Sequence, residues 1–193
     1  MELSASTFEN QTWQNLACLN QDLRHKEFVG CVFKKCDFSN SQFSDSAFIN
    51  CTLVDCNLAN IKVDGCSFQE VAFENCKLVG VIFNKINTLL LRWAFKNCII
   101  TLCNFSLLDI RHSKFTGCEI KETDFIKTNL SGADFAKADL RGSRFQNTNL
   151  EKANFVGAKN YFIDPTGNKL KQARFATPEV LALLVPFGIK IEY

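Results

Sequence analysis

Every fifth residue from Phe28 is apolar, through Phe33, Phe38, Phe43, Phe48, Leu53, Leu58, Val63, Phe68, Phe73 and Leu78 to Phe83. After a shift the series resumes at Phe95 and runs through Ile100, Phe105, Ile110, Phe115, Ile120, Phe125, Leu130, Phe135, Leu140, Phe145 and Leu150 to Phe155. All 25 positions comply in a chain of 193 residues that is 47% hydrophobic. Chance would produce this on the order of 10⁻⁸ of the time, so repetition outranks any local propensity. A second column lies two residues earlier and is small or weakly polar: Cys31, Cys36, Ser41, Ser46, Cys51 and Cys56, and later Cys118, Thr123, Thr128, Ala133 and Ala138. The other three places of each five are mostly polar.

Neither a helix at 3.6 residues per turn nor a strand at 2.0 yields a period of five. A coil with flat sides does, if each five residues form one side and turn a corner before the next. The large residue and the small one before it then point inward, alternating with an outward residue as in a short strand. Four sides give ~20 residues per coil, a solenoid period. Phe28, Phe48 and Phe68 should therefore stack on one side, as should Phe95, Phe115, Phe135 and Phe155 after the shift. Rings of large and small residues fill the interior and leave no lumen for a substrate.

Ten cysteines beside two histidines would have to build any zinc site mostly from thiolate, and no CxxC pair starts one. Nine of the ten fall in the small inward column, with Cys36, Cys56 and Cys76 in one file, so they read as space-filling thiols. Met1-Glu2-Leu3 opens no basic, apolar leader, and no apolar run approaches the roughly 20 residues that span a bilayer. The expectation is a cytoplasmic protein with reduced thiols and no membrane partner. No P-loop, GxGxxG, HExxH or nucleophile elbow occurs, and His25 and His112 fall beside the inward columns. Asp124, Asp134 and Asp139 precede large inward residues and so face outward. No catalytic, cofactor-binding or metal-binding residue is expected, and the chain does not read as an enzyme.

The runs Ala133-Asp134-Phe135-Ala136-Lys137, Ala138-Asp139-Leu140-Arg141-Gly142 and Ala153-Asn154-Phe155-Val156-Gly157 match the A(D/N)(L/F)xx motif, and the chain resembles the pentapeptide repeat proteins. That resemblance covers about Phe8 to Phe175. It implies an all-β, right-handed quadrilateral β-helix rod, and it is nearly silent on function.

Three regions are expected: an irregular N-terminal capping coil over 1–27, the repeat rod over 28–175, and a C-terminal helix and strand over 176–193. In the last, Thr177 suits an N-cap, Pro178 the first helical position, and Pro186 with Gly188 a stop. Ile189, Ile191 and Tyr193 alternate with charged residues, as a strand would. This tail either caps the rod or caps it and also joins two copies, through Val180, Leu181, Leu184, Phe187, Ile189 and Ile191. The rod itself slips register within 84–92. There Asn87, Leu89, Leu90, Leu91 and Arg92 form either a kink packed back on the rod or a projecting partner contact.

The tail, from Asn160-Tyr161-Phe162-Ile163-Asp164-Pro165 through Pro178-Glu179 to Leu183-Leu184, resembles those of the quinolone-resistance (Qnr) and albicidin-resistance pentapeptide proteins, which are dimers joined through this region. With the microcin-immunity proteins these form a group that the resemblance links to type II topoisomerases, DNA gyrase or topoisomerase IV, and to relief of topoisomerase poisons. In that group the rod's width and charge are similar to those of duplex DNA. This chain is bipolar instead: residues 1–83 hold 6 Lys/Arg and 10 Asp/Glu, net −4, and residues 84–193 hold 16 and 10, net +6. The scattered lysines do not form a nucleic-acid stripe, so direct nucleic-acid binding is not expected. A generic interaction scaffold unrelated to topoisomerases is the alternative.

Overall fold

A computed structural model describes residues 3–190 and residue 192, and in it the period of five becomes a four-sided parallel solenoid. The first side carries strands Thr7–Glu9, Glu27–Val29, Ala47–Ile49 and Ser67–Gln69. The second is the longest, with Thr12–Gln14, Val32–Lys34, Thr52–Val54, Val71–Glu74, Trp93–Lys96 and Lys114–Thr116. Lys77–Val79, Ile99–Thr101 and Glu119–Lys121 lie on the third. Residues 20 apart pair, as in Phe28↔Phe48, until the break, where the offset becomes 22 at Phe73↔Phe95 and then returns to 20 at Phe95↔Phe115. Bridges such as Asn129↔Asn149 and Asp134↔Asn154 carry the ladder on toward the C-terminus.

All 25 large positions are buried. Their rings stack along the rod axis, Phe135 on Phe155 at 5.0 Å and Phe155 on Phe175 at 5.0 Å. The small column explains why Cys, Ser and Thr alternate there. Most place one polar γ atom against a carbonyl of the preceding coil: Cys51 Sγ to Phe28 O at 3.2 Å, Ser46 Oγ to Leu23 O at 2.8 Å, Thr128 Oγ1 to Phe105 O at 3.0 Å. Three side chains thus meet one requirement, a small buried group that donates a hydrogen bond. Nearly all corners, two residues after a large side chain, need a left-handed backbone, and Asn10, Asn15, Asn20, Asn40, Asp45 and Asn50 supply it with φ between 51° and 58°.

Both ends differ from expectation. The N-terminal stretch is not an irregular cap: Thr7–Glu9 and Thr12–Gln14 pair in register with the next coil, and Leu3, Phe8, Trp13 and Leu23 are buried. Instead, long side chains occupy the small column of this first coil and form its lid. Lys26 lies over the Phe8 ring and donates to Ala5 O at 2.8 Å, and Leu16 packs on the core. Near the other end Phe145 pairs with Ile163, 18 residues on, while Asn149 pairs with Lys169, 20 on. The coil contracts at Tyr161 and recovers through the turn at Asp164–Gly167. Asn168 closes that turn, accepting from Thr148 N at 2.9 Å and donating to Phe145 O at 3.0 Å and Asp164 O at 2.8 Å.

The C-terminal helix is a 3₁₀ helix, Glu179–Phe187, ended by Gly188 in the left-handed region at φ 65°. Pro178, not Thr177, stands at its N-cap, with no side-chain capping bond, and Pro186 lies inside it rather than after it. Ile189 and Lys190 are not in a strand, and Ile191 and Tyr193 lie outside the described residues. No helix among the described residues is long and apolar enough to cross a membrane.

Candidate partner-binding surfaces

The register break is built around Trp93. Ser67 pairs with Asn87 and Val71 with Trp93, so five residues, 88–92, cover the corner that three, 68–70, cover in the coil below. The first-side sheet ends at Ser67–Gln69 as a result, and the indole of Trp93 donates to Phe68 O at 3.0 Å. The same ring fills the core space beside Phe68, Phe83 and Phe105 that a large residue at position 88 would occupy; Thr88 points out instead.

The two readings of this segment divide by residue. Leu91 packs inward with Trp93 and is buried. Asn87 stays in the ladder, its side-chain oxygen accepting from Leu89 N at 3.1 Å. Leu89 and Leu90 project, 60% and 63% exposed, and Arg92 reaches Glu70 at 3.9 Å.

Beyond the break, Leu102 and Leu107 are exposed corner residues that the sequence reading passed over. Leu90, Leu102 and Leu107 take φ of 54°, 56° and 67°, in one coil, where other corners use Gly, Asn, Asp, His or a long polar side chain. A leucine in the left-handed region costs roughly 1 kcal/mol or more, and an exposed one recovers nothing by burial. Local folding therefore does not account for three of them together. The signal was present in the sequence as leucine two places after Ile100 and Phe105.

The C-terminal end offers a second apolar surface. Ala182 and Leu183 pack on the core with Leu170 and Phe175. Val180, Leu181 and Leu184 are half-buried, whereas Val185, Phe187 and Ile189 are exposed, with Phe162 beside the same end of the rod sequence. Val185 and Phe162 add to the residues expected there. Beneath the helix, Tyr161 lies against Phe155 and Phe175 with its hydroxyl buried and unpaired; burial, with the charge of Glu179, pushes its phenol up to about 12.

The other sequence-level candidates lie elsewhere. All ten thiols are buried, and Cys36, Cys56, Cys76, Cys98 and Cys118 form one file along the third side. Burial pushes Cys51 up to about 11 and Cys103 up to about 12. Asp124, Asp134 and Asp139 face outward as staples between coils, accepting from Arg144, Asn154 and Asn160. His25 and His112 are exposed corner residues.

A family model described as a pentapeptide repeat region matches residues 26–91 and 88–159. No curated protein matches the chain in sequence. Among solved structures, a trypsin-treated variant of QnrB1, a plasmid-mediated fluoroquinolone resistance protein, superposes with a TM-score of 0.80 at 15% identity, covering 98% of this chain and 100% of that one. A second trypsin-treated QnrB1 variant gives 0.66 at 14% identity, covering 94% and 100%. HetL from the cyanobacterium Nostoc, a pentapeptide repeat protein involved in heterocyst differentiation regulation, gives 0.42 at 17% identity, covering 89% and 88%.

Proposed function

Because the chain belongs to the pentapeptide repeat family, we propose that it works as that fold allows, by its outer surface: a non-enzymatic, cytoplasmic rod that docks on a type II topoisomerase, DNA gyrase or topoisomerase IV, and protects it from poisons. The observation that carries this reading is the superposition on QnrB1 over 98% of the chain. The interior supports it, being packed with stacked rings and buried thiols, so that only the surface is left to act. A solenoid with parallel ladders on every coil keeps its shape, and a pre-shaped surface loses little entropy on binding. We further propose that two copies join through the C-terminal apolar end, which sets the acidic N-terminal halves pointing outward and the basic halves together.

One observation favours a scaffold unrelated to topoisomerases. A surface that imitates DNA should be continuously negative, whereas residues 84–193 carry a net charge of +6. Sedimentation of gyrase holoenzyme with the intact protein separates the two readings. Co-sedimentation at micromolar concentrations is the expected result, and independent migration would leave the scaffold reading ahead.

A further inference from the structure

The register break leaves a groove of about 940 Å³ where the first and second sides meet, lined by the bulge and by the coils on either side of it. Its apolar surface comes from Ala72, Ala94 and the exposed Leu90, over the buried Val71, Leu91 and Trp93. Ala72 and Ala94 pair in register and Lys114 follows them on the same file, so methyl groups stand where the coils below carry Val32 and Thr52. The floor is therefore shallow where the rest of the side is raised.

The rim is unevenly charged. Arg111 pairs with Asp109 within its own turn and holds that carboxyl below the usual range, while Arg92 and Glu70 are only loosely apposed at 3.9 Å. Lys114 makes no ion pair among the described residues. Asp134, next on its file, is held by Asn154 at 2.8 Å and by its own turn. His112 closes the upper end. Its ring lies over Gly132, where φ is +67° and an added Cβ would fall 2.5 Å from the imidazole Nδ1.

We propose that this groove docks an extended, acidic and apolar segment of a protein partner. An apolar side chain of that segment rests on Ala72 and Ala94 beside the exposed Leu90, and a neighbouring carboxylate meets Lys114 and Arg92. Polyanionic nucleic acid fits less well, because Glu70 and Asp109 stand on the rim and the floor offers no donors to phosphate. The proposal rests on the rod being a docking protein and not on which enzyme it docks to.

A display library of random linear peptides tests it, selected on the intact protein in parallel with Ala94→Arg, which fills the floor, and Lys114→Glu, which reverses the rim. Lys137→Glu, a corner lysine outside the groove, is the charge control. Peptides enriched on the wild type and on Lys137→Glu, but on neither groove variant, should pair Asp or Glu with a large apolar residue. Resynthesised, they should bind Lys114→Glu about tenfold or more weakly and lose affinity with added salt. Enrichment that ignores the groove variants, or groove-dependent peptides that are basic, would overturn the proposal. Because no topoisomerase is present, either result is independent of the gyrase experiment.

Discussion

Phe115→Ala should destabilise the rod by about 3–5 kcal/mol, the cost of a phenylalanine-sized cavity that cannot close. Phe115 is stacked between Phe95 at 5.1 Å and Phe135 at 4.9 Å, and meets the edges of Phe105 and Phe125 at 6.0 and 5.8 Å. Ladder hydrogen bonds fix the coils above and below it, including Phe115 N to Asp134 O at 2.7 Å, so the neighbours cannot settle into the space. Its outward neighbour provides the control. Lys114→Ala should change stability by under about 0.5 kcal/mol, as surface substitutions do. Equal denaturation midpoints for the two variants would contradict the inward and outward assignment.

The second large effect is on assembly. The intact chain should scatter light as a dimer, twice its 21.8 kDa. Truncation at Thr177 should yield a monomer, because it removes Val185, Phe187 and Ile189, the exposed apolar side chains of the tail. Leu184→Asp should weaken association by roughly 2–5 kcal/mol, since a charge buried at an interface without a partner is costly. Leu184 is half-buried in the single chain, next to Leu183, which packs on the core. An intact chain that scatters as a monomer would reduce the tail to a cap.

The rod was legible in the sequence because one feature, the five-residue period, specifies side, register and stacking at once. The slip was legible too, since Phe83 and Phe95 are 12 apart, but not which residues it exposes. Leu89, Leu90 and Leu91 look alike in sequence, and only the left-handed turn at Leu90 sends the first two out and the third in. The groove could not be read because Glu70, Arg92, Arg111 and Lys114 converge only once the coils stack with the two-residue offset. The contraction near Tyr161 was hidden because the chain regains its phase by Lys169. At the N-terminus, Gln21 and Lys26 broke the small-residue pattern and suggested irregular chain. They are the polar lid of a regular coil, with Gln21 N and Lys26 N each donating to a serine hydroxyl of the next coil at 3.0 Å.

The central functional claim is protection of a topoisomerase by docking, and poison-induced DNA cleavage reports on it most directly. Gyrase, plasmid and a fluoroquinolone are combined with increasing amounts of the intact protein, and the linearised plasmid released on denaturation is measured. A docking protector should lower cleavage until the effect saturates near stoichiometry with gyrase, with no dependence on preincubation time beyond binding. Cleavage that stays constant across several poisons, up to a large molar excess of the protein, would contradict the claim.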